Sequence, residues 1–125
     1  MLERYFDKIL YVTGVVTLTP LLQFFLPTLN LGLSGLVVGD DTGLLFARHW
    51  GLMAACFGAL LIFTAARPAF RKPIVFAAMV EKLGLVALVV MAWNTPALAG
   101  LHLAALFDGL CVLLYGAYIY QTRNT

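Results

Sequence analysis

Six ionisable residues, Arg48, His49, Glu81, Lys82, His102 and Asp108, stand inside stretches that are otherwise almost wholly apolar. A charged side chain at the centre of a membrane helix costs roughly 2.5 to 3.5 kcal/mol on translocon scales, so such residues persist where they are paired, hydrated in a cavity, or used. Lys82 lies 11 residues before Trp93, and Asp108 lies 10 after Leu98. At about 1.5 Å of rise per residue the two reach nearly the same depth, roughly 15 Å below the outer end, and they are expected to form a structural ion pair. Glu81 shares a helical face with Ala77, Ala78 and Gly84. That stripe of small residues is expected to point inward, leaving Glu81 as a deep carboxyl without a dedicated cation, suited to carrying a proton or acting as a general acid. Competition between Glu81 and Asp108 for Lys82 is the alternative.

Arg48, His49 and His102 lie shallower, about 6 to 8 Å below the outer end by the same helical rise. Arg48 shares a face with Gly51 and Ala55, and His102 with Ala105 and Gly109, so both are expected to point inward. With Glu81 they form the candidate ligand-binding set of Arg48, His49, Glu81 and His102; a hydrogen-bonded scaffold is the competing role. Two His at equal depth on facing helices also suit haem or a divalent metal. No carboxylate or Cys supports them at that level and Arg48 repels cations, so no metal and no cofactor is expected.

The elements that must hold these residues follow from composition. At 62% hydrophobic and 11% charged over 125 residues, the chain is too apolar for an ordinary soluble domain and too short for two. Four stretches, 9–29, 44–66, 73–93 and 98–121, each approach the roughly 20 residues that cross hydrocarbon, where an isolated span must be helical. The sequence therefore predicts one all-α domain, an integral membrane four-helix bundle with up-down topology. Pro20 and Pro27 are expected to bend the outer end of the first span. The connection 30–43 carries Gly32, Ser34, Gly35, Gly39 and Gly43 among apolar residues and reads as a lid at the outer interface. The tight connection 94–97, with Pro96, makes the last two spans antiparallel neighbours.

Charge sets orientation and excludes one partner class. Arg4, Lys8, Arg67, Arg71, Lys72 and Arg123 fall on one side, whereas the opposite connections hold Asp40 and Asp41 and no Lys or Arg. Both termini are thus expected in the cytoplasm. Tyr5, Tyr118 and Tyr120 near that side, and Trp50 and Trp93 near the other, read as interfacial aromatics. No basic aromatic groove accompanies the cations, so nucleic acid is not an expected partner. The first span is expected to be retained rather than cleaved, lacking an A-x-A site. Cys56 and Cys111 lie mid-span without C-x-x-C spacing and read as small hydrophobes. Asp41-Thr42-Gly43 lacks the paired strands of an aspartic protease, and Gly32-Leu33-Ser34-Gly35 is not a nucleophile elbow.

In its Pro-ended first span (Pro20, Pro27), Arg48-His49-Trp50-Gly51, Arg67-Pro68 and Asp108-Gly109, the chain resembles the DoxX-like group of four-helix bacterial membrane proteins. The resemblance covers the whole chain through topology and a few polar positions. It implies a bacterial inner-membrane location and quinone-linked redox systems. The chain is similar in a looser way to sterol-isomerase-type membrane proteins, in which His and acidic side chains line a lipid-accessible cavity. Three functions are expected in order: binding of a hydrophobic small molecule, of quinone or isoprenoid lipid type, as an accessory protein; isomerisation with Glu81 or His49 as acid and base; and proton-coupled transport by a dimer through Glu81. Membrane lipid and a hydrophobic small molecule are the expected partners. The small-residue stripes allow a single-chain bundle, a homodimer or a larger membrane complex.

Overall fold

The structure, a computed structural model, describes residues 2–124, apart from the side chain of Glu3. Its elements are α1 (Leu2–Leu18), α2 (Leu21–Phe25), α3 (Pro27–Leu33), α4 (Asp41–Ala65), α5 (Arg71–Met91) and α6 (His102–Gln121), with 3₁₀ turns at Pro68–Phe70 and Pro96–Leu101. Among the described residues there is no strand, and four helical stretches are long and apolar enough to cross a membrane: Arg4–Phe25, Asp41–Ala65, Pro68–Met91 and Pro96–Gln121. The chain is an all-α, multi-pass membrane four-helix bundle.

The first span differs from expectation at both ends. Helix α1 begins at Leu2 rather than near residue 9, because Phe6 and Leu10 continue the buried face of Thr13 and Thr17 while Arg4, Asp7 and Lys8 stay exposed. Pro20 ends α1 because it lacks the N–H that would bond the Val16 carbonyl. Thr19 serves that carbonyl instead, through its amide at 3.1 Å and its hydroxyl at 2.7 Å. Short helices α2 and α3 follow, separated at Leu26, so part of the expected 30–43 lid is helical to Leu33. The chain then runs without helix to Asp40, whose carboxylate caps α4 by accepting from the Gly43 amide at 2.8 Å.

Close packing pairs α1 with α4 and α5 with α6. Membrane helices gain little from hydrophobic burial against one another and rely on close approach at small residues. At the α1 and α4 crossing, a Cβ added to Gly58 would lie 2.5 Å from the Leu18 nitrogen and 2.7 Å from the Gly14 carbonyl oxygen. Gly51 meets α2 similarly, 2.6 Å from the Pro20 carbonyl oxygen. Gly51, Ala54, Ala55 and Gly58 are buried, as their stripe implies. The α5 stripe behaves otherwise: Ala78 is buried, but Ala77 and Gly84 face outward, and the inward face is Val75, Ala78, Lys82 and Val89.

The two helix pairs are sealed together near the termini. Phe6 stacks on Tyr118 at 3.9 Å between centroids and meets Tyr115 edge-on at 6.1 Å, within a core that includes Leu10, Leu61, Val75 and Cys111. Tyr118 is therefore a core residue rather than an interfacial one. Arg71 is also buried, donating to the Thr64 carbonyl at 3.0 Å and to that of Ala65, so it caps the end of α4.

The packing yields a contrast between two glycines. Gly58→Leu should force α1 and α4 apart at a cost of at least about 1 to 3 kcal/mol, whereas Gly84→Leu, with nothing within 4 Å of its added Cβ, should be tolerated. Thermal unfolding in detergent, followed by size exclusion, checks the difference; equal effects would count against this crossing.

Candidate functional site

Toward the other end the helix pairs separate, and a cavity of about 790 Å³ opens between them. Its deep end is formed by Thr17 of α1 and by Glu81, Lys82 and Asp108 of α5 and α6. Its walls are apolar, with Val16, Ala54, Leu85 and Phe107 among them, and its mouth is bounded by Ser34, Trp50, Gly100 and His102. Gly100 permits this mouth, since any Cβ there would collide with the Ser34 carbonyl oxygen.

Lys82 anchors the deep end. It is only 2% exposed, and its Nζ donates to Asp108 Oδ1 at 2.9 Å and to Thr17 Oγ1 at 3.0 Å, while the Phe107 ring lies 5.0 Å away. Burying an ammonium is costly unless it is paired and hydrogen-bonded, and these three groups answer that demand from two different helices. Thr17 in turn donates to the Thr13 carbonyl at 2.7 Å. The Thr13 hydroxyl donates to the Ile9 carbonyl at 2.7 Å, so in its 2.6 Å contact with Tyr115 the phenol is the donor. A polar ladder thus runs from the ion pair into the closed half of the bundle.

Glu81 lines the same cavity beside this pair and lies within range of the Lys82 and Asp108 charges. Its Oε2 is buried and makes no hydrogen bond among the described residues. His102 stands at the mouth, stacked on Trp93 with centroids 3.6 Å apart, and its Nε2 meets the Trp93 carbonyl oxygen at 3.1 Å. Since a carbonyl only accepts, that nitrogen carries the proton.

The structure brings together Glu81, Lys82, Asp108 and His102, and it separates Arg48 and His49 from them. Both are exposed, and they border a different groove of about 360 Å³ with Phe24, Asp41, Leu44 and Leu45. The expectation that Arg48, His49, Glu81 and His102 line one pocket is therefore corrected. Arg48 does share the face of Gly51, but that face meets the broken helix α2. Its Nε donates to the Phe24 carbonyl at 3.0 Å, one of the carbonyls left open where α2 ends. Among the described residues, no three His, Cys, Asp or Glu side chains come together to hold a metal ion.

Sequence reasoning missed Thr17, Gln23 and Tyr115. Thr17 was signalled by its place on the Phe6, Leu10 and Thr13 face. Gln23 is 2% exposed; its amide donates to the Ala47 carbonyl at 2.5 Å and its oxygen accepts from Asn30 at 3.1 Å, tying α2 and α3 to α4.

No family model, curated protein or solved structure matches this chain. Function has to be argued from the site itself.

The ion pair gives a double-mutant test. Lys82→Met or Asp108→Leu alone strands a buried charge and should destabilise the protein by about 3 to 5 kcal/mol. The combined variant should cost clearly less than the sum of the two. Additive losses, measured by denaturant titration in micelles, would mean that the residues do not interact in the folded protein.

Proposed function

We propose that this chain is a bacterial inner-membrane protein that binds a hydrophobic small molecule, of quinone or isoprenoid lipid type, in the cavity between its two helix pairs. The observation that carries the reading is the convergence of apolar walls on a buried ion pair. A cavity of about 790 Å³ falls within the roughly 300 to 1,000 Å³ range of small-molecule sites, which combine apolar lining with a few placed polar groups. In this reading the tail lies along Val16, Ala54, Leu85 and Phe107, and the polar end reaches Lys82, Asp108 and Glu81. The resemblance to DoxX-like proteins agrees with it. An isomerase using Glu81 and His49 on one substrate is less well supported, since these two residues border different spaces.

Binding is tested by what copurifies. Lipid extracts of the purified protein, analysed by mass spectrometry, should contain one lipid-soluble molecule enriched over bulk membrane. Ala54→Phe and Ala104→Phe, which fill the cavity from α4 and α6, should each reduce it about tenfold or more, the loss expected when about 1.4 kcal/mol of binding is removed. Extracts that match bulk membrane for wild type and variants alike would refute the binding reading.

The same proposal places both termini in the cytoplasm, supported by the basic residues Arg4, Lys8, Arg67, Arg71, Lys72 and Arg123 at one end. In a background with Cys56 and Cys111 replaced by Ala, an impermeant maleimide should label Val37→Cys from outside intact spheroplasts and Ala69→Cys only after lysis. Both native positions are exposed. The opposite pattern reverses the orientation.

A further inference from the structure

The hydrogen-bond inventory of the cavity's deep end narrows the ligand, given the binding function proposed above. Two of the three Lys82 N–H groups and the nearby hydroxyls are already engaged. Lys82 donates to Asp108 and Thr17 and faces the Phe107 ring; Thr17 donates to the Thr13 carbonyl; Tyr115, below, donates to Thr13. What remains unmatched is the buried Glu81 Oε2. The formal charges point the same way, since one ammonium, Lys82, stands against two carboxyl groups, Glu81 and Asp108, at the deep end. A buried polar atom without a partner is costly, and a ligand that satisfies it recovers that cost on binding.

We infer that the cavity takes a molecule with a long apolar tail and a polar end that donates hydrogen bonds, a lipid-soluble phenol, alcohol or amine, with Glu81 as the acceptor. A carboxylate or phosphate head adds negative charge beside a carboxyl group that has no cation of its own. A head with only carbonyl or ether oxygens has no proton to give Glu81 and leaves its Oε2 unmatched. Of the quinone-type molecules, the reduced, hydroxyl-bearing form can donate to Glu81 and the oxidised form cannot.

The test uses the full-length protein in nanodiscs and four probes with one tail: 4-dodecylphenol, dodecylamine, 4-dodecylanisole and dodecanoate. Native mass spectrometry or equilibrium dialysis should show the phenol, the amine or both binding about tenfold or more tighter than the anisole and dodecanoate, the scale of one hydrogen bond to a charged group. Preference for the phenol identifies a hydroxyl head, and preference for the amine a cationic one. Glu81→Met should abolish the preference while leaving residual binding of the tail. Glu81→Gln, which keeps one acceptor and adds a donor, should weaken the preference and admit the anisole. Equal binding of the anisole or dodecanoate to wild type overturns the inference while leaving the binding function standing, as does a preference that survives both Glu81 variants. If no probe binds in a manner blocked by Ala54→Phe, the binding function fails and the inference fails with it.

Discussion

An ammonium group that is 2% exposed inside an apolar bundle must be compensated where it stands, and much of this fold can be understood from how Lys82 meets that demand. Asp108 supplies the charge from α6, which fixes the register of the α5 and α6 hairpin. Thr17 supplies a neutral oxygen from α1, which makes the buried charge a link between the two helix pairs rather than within one. The hydroxyl in turn has to dispose of its own proton, and it does so into its own helix at the Thr13 carbonyl. One buried charge therefore sets hydrogen bonding on three helices, and the polar floor that results is also the end of the cavity.

The bundle divides around that floor. On the side of the termini, aromatic stacking of Phe6 with Tyr115 and Tyr118, and the Arg71 cap on α4, close the space between the pairs. On the other side Pro20 turns the chain out of α1, and α2 and α3 pack beside α4 with Gln23 as their tie. Thr19 and Pro20, at the break, line the cavity, and Gly51 and Gly100 permit close backbone approaches to Pro20 and Ser34.

How much of this was legible depended on which assumption each inference used. Fold class and the number of spans followed from apolar length alone, and segment boundaries shifted by only a few residues for α4, α5 and α6. Counting from the hairpin placed Lys82 level with Asp108 because it needed only helical rise and a short connection. The placement of Arg48 and His49 rested on depth and on the small residues of the Arg48 face, and that face meets α2 rather than the cavity. Pro20 was visible in sequence; where the broken segment would lodge was not, since that depends on the long-range bond from Gln23 to Ala47. The small-residue stripe in α5 misled for another reason. Small residues permit close approach without requiring it, and Ala77 and Gly84 face outward while the larger Val75 and Val89 are buried.

Glu81 gains its significance from this geometry rather than from the stripe that first drew attention to it. It sits on the flank of the inward face of α5, close enough to feel both members of the ion pair, yet the hydrogen bonds of Lys82 go to Asp108 and Thr17. Buried polar atoms are rarely left without a hydrogen-bond partner, and an unmatched carboxyl oxygen calls for an explanation. The closed half of the bundle satisfies its interior hydroxyls through Thr13, Thr17 and Tyr115, so the unmatched acceptor is confined to the half that is open. That confinement separates a site from a packing fault: the side chain that carries the unsatisfied atom lines a cavity large enough to admit a ligand.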